Sequence, residues 1–226
     1  NATRPRRATI AERLQDVVGG ERHTCALTDA GTVLCWGGNN VGQLGNGTTD
    51  DSPTPVSIMN VTEPVARISA SASHTCILFD TPSQNVYCWG SNSFEQLGYA
   101  FPDYSSIPGQ VAGAFGAVDI ATGDAHSCYV VGSGIVICWG NNATGQLGEG
   151  SFMGGRTPRT VDGVTDAVEI AAGRAHTCAR QGGTVSCWGE NFRGQLGNGM
   201  TEGSGTPVRV LGLDDAIAID AGDSHT

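Results

Sequence analysis

HTCALTDAGTVLCWGGNNVGQLG, residues 23–45, is the stretch that decides the fold. It recurs as HTCILFDTPSQNVYCWGSNSFEQLG from His74, as HSCYVVGSGIVICWGNNATGQLG from His126 and as HTCARQGGTVSCWGENFRGQLG from His176, and a fifth copy opens at His225. The five histidines stand 51, 52, 50 and 49 residues apart. Pro5, Pro55, Pro108, Pro158 and Pro207 keep the same register. Self-similarity at this period marks a solenoid, a propeller or an array.

Within one period the pattern is that of strands. Ala167-Val168-Glu169-Ile170-Ala171 alternates apolar and polar residues, Gly173 breaks the run, and His176–Ala179 and Thr184–Trp188 are two further β-prone pieces after the one at Thr157–Val161. No window carries a convincing helical period. Residues 9–14 have the composition for one helical turn, but the repeat phase predicts connection or strand there. Four short strands per ~50 residues predict an all-β protein, a β-propeller of four-stranded antiparallel blades. About 4.5 repeats are present: 5–54, 55–107, 108–157, 158–206 and a partial 207–226 expected to hold two strands, with 1–14 as a basic N-terminal arm or connection.

All eight cysteines belong to the repeat. Centring each hairpin on its turn sets Cys25 opposite Cys35, Cys76 opposite Cys88, Cys128 opposite Cys138 and Cys178 opposite Cys187, although the turns differ in length. Opposed residues on antiparallel strands lie within disulfide reach. Four within-hairpin disulfides are therefore expected, and with them an oxidising compartment, extracellular or at the cell surface. Two rivals stand beside this pairing. One is reduced, buried thiols. The other is a metal site of His23, Cys25 and Cys35, which lacks a fourth ligand and tight zinc spacing. His23, His74, His126 and His176 recur at one place on one strand face, which suits packed, hydrogen-bonded residues better than an acid or base. Trp36, Trp89, Trp139 and Trp188 fit blade packing, with an indole N–H that needs an acceptor. The loop after each Trp carries Asn at Trp+3 and then Gln-Leu-Gly. Glu95 stands where the other copies have Gly42, Gly145 and Gly194, so this loop is expected to differ locally and its blade to be the least regular.

The string HTCALTDAGTVLCWGGNNVGQLGNG resembles the regulator of chromosome condensation repeat, and the resemblance covers the chain from about Pro5. It implies a β-propeller, commonly of seven blades, that binds partners on a face made of loops. Roles in that family range over nucleotide exchange on a small GTPase, chromatin docking, light sensing and inhibition of β-lactamases by a secreted bacterial protein. It thus implies a fold and a habit of binding proteins, not one activity. No exchange-loop or inhibitor-loop residue is matched here, and the paired cysteines and acidic body weigh against exchange in a reducing nucleus. A whole propeller of roughly six or seven blades needs more repeats than these. Either the chain is a segment of a longer propeller, or subunits complete one another by sharing strands.

Charged residues make up only 15% of the chain, Gly occupies 34 positions, and all twelve basic residues are Arg. With 22 acids the net charge is −10, which excludes the broad basic surface that nucleic acid requires. Residues 1–22 are the exception, with five Arg against three acids, and would suit an arm docked on an acidic body. No apolar run approaches the ~18–20 residues of a membrane span. Asn1, Asn46, Asn60 and Asn142 lie in N-glycosylation sequons, with a turn role competing at Asn142. No catalytic signature, phosphate loop or cofactor fingerprint occurs, and the acid pairs Asp50-Asp51 and Asp214-Asp215 lack calcium-loop spacing. The expected function is a non-catalytic extracellular or cell-surface module that binds proteins or builds an assembly, without cofactor. A secreted inhibitor or lectin-like propeller is the alternative, and an exchange regulator ranks below both. Copy-to-copy differences, where function should lie, concentrate in 46–54, 99–107, 149–156 and 198–206.

Overall fold

The computed structural model describes residues 10, 12–100 and 102–226. The expected arm over 1–14 lies largely outside them; within reach of it, Arg13 pairs with Asp29 at 3.5 Å.

Among the described residues sixteen strands form four antiparallel sheets, each a meander in chain order. The first sheet holds β1 (Leu14–Gly19), β2 (His23–Thr28), β3 (Val33–Gly37) and β4 (Ser52–Ser57). The second holds β5 (Val65–Ser71), β6 (His74–Phe79), β7 (Val86–Ser91) and β8 (Tyr104–Gln110). In the third are β9 (Ala117–Thr122), β10 (His126–Val131), β11 (Val136–Gly140) and β12 (Gly155–Thr160), and in the fourth β13 (Glu169–Ala172), β14 (His176–Gln181), β15 (Thr184–Gly189) and β16 (Ser204–Arg209). This is the all-β propeller of four-stranded blades that the repeat predicted. The first strands pack on one another, β1 on β5, β5 on β9 and β9 on β13, so they line the axis. A channel of about 390 Å³ runs there between Val18, Ala70, Ile120 and Ile170.

The apolar cores lie between blades rather than within them. Leu44 of the first blade packs with Trp89, Ile68 and Ile77 of the second. Leu97 packs with Trp139 and Ile120, and Leu147 with Trp188 and Ile170. Trp89, Trp139 and Trp188 are fully buried, whereas Trp36, on the outer flank of the first blade, is only partly covered. Burial in such seams, not in a central core, is what makes each blade depend on its neighbour.

Two expectations change here. The sheets run from 14 to 57, 65 to 110, 117 to 160 and 169 to 209, so each is offset by one strand from the unit read in sequence. The proline-bearing strand closes the preceding blade instead of opening the next. Asn39 explains why: its Nδ2 donates to the carbonyls of Thr48 and Asp50, both at 3.0 Å, which folds the 38–51 loop back and lays β4 against β3. Pro53 and Pro55 are tolerated because β4 is the sheet's outer edge. For the same reason Pro207 lies in β16 of a complete fourth blade. Beyond Arg209 the described residues hold only a Gly222–His225 bridge, not two strands of a fifth unit.

The second change concerns regularity. Glu95 adopts the same left-handed backbone (φ 63°) as Gly42, Gly145 and Gly194, so this loop keeps its path. The second blade departs from the others at its inner turn instead. There Ser71 continues the strand and pairs with His74, and Ala72 takes a positive φ of 27°. In the other copies Gly20, Gly123 and Gly173 occupy the place of Ser71, where a Cβ would lie 2.1–2.2 Å from the imidazole Cε1 of His23, His126 or His176.

Candidate functional site

The recurring histidine, threonine, glutamine and tryptophan meet across each seam in one hydrogen-bonded latch. His23 Nε2 lies 2.8 Å from Thr75 Oγ1 of the next blade, and that hydroxyl donates to the Gln43 carbonyl at 3.3 Å. The same carbonyl accepts the Trp89 indole N–H at 2.9 Å. The second seam repeats this through His74, Ser127, Gln96 and Trp139, with contacts of 2.9, 3.0 and 2.8 Å. The third uses His126, Thr177, Gln146 and Trp188 at 2.9, 3.0 and 2.9 Å. His176 bonds Thr226 at 2.9 Å, and Thr226 reaches the Gln195 carbonyl at 3.4 Å.

A hydroxyl has one proton, and here the carbonyl takes it. The imidazole must therefore be the Nε2–H donor, with Nδ1 unprotonated. Nδ1 of His23, His74, His126 and His176 is buried without a hydrogen-bond partner. Burial holds all four imidazoles below their ordinary value, His23 to about 4 and His74 and His126 to about 3, with neighbouring histidines adding to the effect at His74 and His126. These are neutral, committed donors and cannot serve as general acid–base groups near neutral pH.

The cysteines are equally committed. Disulfides join Cys25 to Cys35, Cys76 to Cys88, Cys128 to Cys138 and Cys178 to Cys187, each with Cα atoms 4.0–4.1 Å apart, and no described cysteine is free. That spacing is the close, non-hydrogen-bonded kind of cross-strand pair. With both thiols oxidised and His23 bonded to Thr75, the metal alternative at His23, Cys25 and Cys35 is excluded. The loop residues are consumed too. Asn39, Asn92, Asn142 and Asn191 each accept the backbone N–H of the leucine five residues on, at 2.9–3.0 Å.

That role decides the sequon at 142. Asn142 is 1% exposed, and its nitrogen donates to Ser151 O, Met153 O and Glu149 Oε1, so the glycan expectation is withdrawn there. Asn46 is half-buried and its Oδ1 receives Asn39 and Thr48, while Asn60 is exposed. Asn1 falls outside the described residues. Among the paired acids, Asp51 caps the loop by accepting the Asn39 N–H at 2.8 Å, and Asp214 pairs with Arg209.

What remains uncommitted is on the loops. The strand directions bring the connections between third and fourth strands, together with the turns between first and second strands, to one end of the propeller. Phe94, Phe152, Met153, Phe192 and Met200 are exposed on those connections. Sequence comparison of the copies marked Phe152, Met153 and Met200 through the variable windows but passed over Phe94 and Phe192, which lie inside the repeat motif. Their signal was there: Phe94 replaces Val41, Thr144 and Arg193, and Phe192 replaces Asn40, Ser93 and Ala143. On the turns at this end, Glu21, Asp124 and Asp223 surround the channel mouth, and burial followed by the charge of Asp223 raises the Asp124 carboxyl above its usual range. Separately, a cavity of about 320 Å³ opens on the flank of the fourth blade beside Gln195, Gly197 and Val210. Gly197 corresponds to Gly45, Gly98 and Gly148, each of which lies under a tryptophan indole.

The Regulator of chromosome condensation (RCC1) repeat matches residues 30–78, 84–130, 133–180 and 182–226. The human E3 ubiquitin-protein ligase HERC2 is 33% identical over 124 residues, 53% of this chain and 2% of that protein. Mouse Protein RCC2 is 40% identical over 81 residues, 35% of this chain and 15% of that protein. Among solved structures, human WBSCR16 aligns with a TM-score of 0.85 at 22% identity, over 95% of this chain and 57% of that one. Prp20p of Saccharomyces cerevisiae aligns at 0.78 and 19%, over 94% and 55%. The chain thus spans little more than half of these structures and a small part of the curated relatives.

Proposed function

This chain belongs to the regulator of chromosome condensation (RCC1) repeat family, and we propose that it is a non-catalytic, disulfide-stapled protein-binding propeller acting outside the cell or at its surface. One observation carries the proposal: His23, His74, His126 and His176, the eight cysteines, the four loop asparagines and the three buried tryptophans are spent on bonds within or between blades. What is left for function is the copy-specific loops. The relatives support this use of the fold, since the Prp20p structure was described with its binding to Gsp1p and histones, and yeast RCC1 (Prp20) with Kap60 bound to it. Four disulfides suit an oxidising compartment. Thiols alkylated at the moment of lysis test the location. Recovery of the protein in the medium or on the surface with no alkylated cysteine supports the proposal; an intracellular pool with alkylated cysteines refutes it.

A further inference from the structure

The end of the propeller that carries the third-to-fourth-strand loops has an apolar strip set in an acidic surround. Phe94, Phe152, Met153, Phe192 and Met200 are between 53 and 77% exposed. They are not on slack chain. Phe94 N donates to Gln96 Oε1 at 2.9 Å. Asn142 Nδ2 donates to the carbonyls of Ser151 and Met153, and Arg159 Nη1 also reaches Met153 O at 3.1 Å, so both sides of Phe152 are held. Met200 donates its N–H to Asn198 and accepts from Asn191 at 3.1 and 3.0 Å. Side chains held out in water by a braced backbone bind with little ordering cost.

Glu95 joins the strip into one surface. It is the only copy to place a side chain at the left-handed position, a conformation unfavourable for an L-residue. Its carboxylate crosses to the third blade, accepting Arg156 N at 3.1 Å and Arg156 Nη1 at 3.3 Å. That contact brings the Phe94 loop beside the segment that follows Met153. The Phe152 ring in turn lies over Gly205 of β16, in the fourth blade. In the first blade the corresponding loop is polar and acidic, Thr48-Thr49-Asp50-Asp51.

Among the described residues the surround carries an excess of acids. At this end Arg156, Arg159 and Arg174 are already paired with Glu95, Glu149 and Glu190. Among the described residues at this end, Arg22 and Arg193 are the guanidinium groups outside these pairs, against Asp50, Asp51, Asp103 and Glu202 on the loops and Glu21, Asp124 and Asp223 at the channel mouth. A surface of this kind attracts cations at long range and repels anionic lipid.

We propose that this face binds a cationic protein segment, one whose Arg or Lys side chains alternate with apolar ones, with Phe94, Phe152 and Met153 as anchors and the first-blade and channel-mouth carboxylates as the charge complement. The inference rests on the protein being a binding module.

A phage-displayed library of random dodecapeptides, panned on the 226-residue protein, provides the probe. The expected winners carry net positive charge and at least one aromatic or large aliphatic residue. Their affinity, read by fluorescence anisotropy, should fall at least ~10-fold in Phe152→Ser/Met153→Ser and decline steadily with added salt. Phe115→Ser, on the opposite end of the propeller, should leave it unchanged, and thermal melts should show both variants folded. Neutral or acidic winners overturn the proposal. Winners that respond to Phe115→Ser and not to the Phe152/Met153 pair overturn this surface while leaving the binding-module function standing. No enrichment at all overturns both.

Discussion

Acid should loosen the blade seams, because three latch histidines fold neutral and unfold to ordinary ones. In the native protein His74 and His126 are held at about 3 and His23 at about 4, against 6.5 in an unfolded chain. A folded-state value below the unfolded one means that the unfolded chain takes up the proton first as pH falls. Stability is thus fully present above 6.5 and is lost progressively from there down to the folded values. Each histidine contributes a slope of about 1.4 kcal/mol per pH unit in that window. By about pH 5 each has removed roughly 2 kcal/mol, and the three together about 6, a large part of the ~5–15 kcal/mol by which domains are stable. Asp119 and Asp124, raised above the ordinary carboxylate value chiefly by burial, act in the opposite sense. Urea unfolding at constant ionic strength from about pH 7 to about pH 5 reads the effect directly. His126→Gln should cost stability at neutral pH and remove about one third of the pH slope. A stability that is flat across this range, or a slope unaltered in His126→Gln, would refute the neutral-donor latch.

Three further predictions follow from the seams and staples. Trp139→Ala removes a fully buried indole and its bond to Gln96 O and should cost about 3–5 kcal/mol, whereas Trp36→Ala, at a partly covered flank, should cost about half as much; equal losses in chemical denaturation would contradict seam burial. Replacing Cys128 and Cys138 together by Ala opens a short loop and should lower stability by about 2–3 kcal/mol in the same assay, an unchanged midpoint being the contrary result. Glu95→Gly relieves a left-handed backbone of roughly 1–2 kcal/mol while losing an exposed ion pair of ~0–1, so its melting point should hold or rise. A loss beyond about 1 kcal/mol would show that the Arg156 contact holds the loop rather than merely decorating it.

The fold was legible because the information in this chain is redundant. Four copies of a hairpin with compensating turn lengths fix which cysteines face each other, and the structure pairs Cys25 with Cys35 and Cys178 with Cys187 despite different loops. The blade boundary was not legible. A period has no origin, and the proline strand could be assigned to either side until the bonds from Asn39 showed which hairpin it joins. Nor could sequence show why histidine recurs, since its partner Thr75, Ser127 or Thr177 lies about one period away and reads as an ordinary strand residue. At Glu95 the expectation of a different loop failed because an L-residue can take the glycine backbone at modest cost while the bonds from Asn92 and Gln96 keep the loop path. Phe94 and Phe192 stand inside the repeat motif, at positions where the other copies carry unrelated residues, so the period alone assigns them no role.

The central claim is that the repeat's reactive side chains are structural, oxidised and out of reach of chemistry. Peptide mapping of the natively isolated protein, alkylated without reduction, tests it most directly. The account predicts four cross-linked peptide pairs, each joining the two cysteines of one hairpin, and no alkylated thiol. Alkylated cysteines, or bridges between different blades, would contradict it.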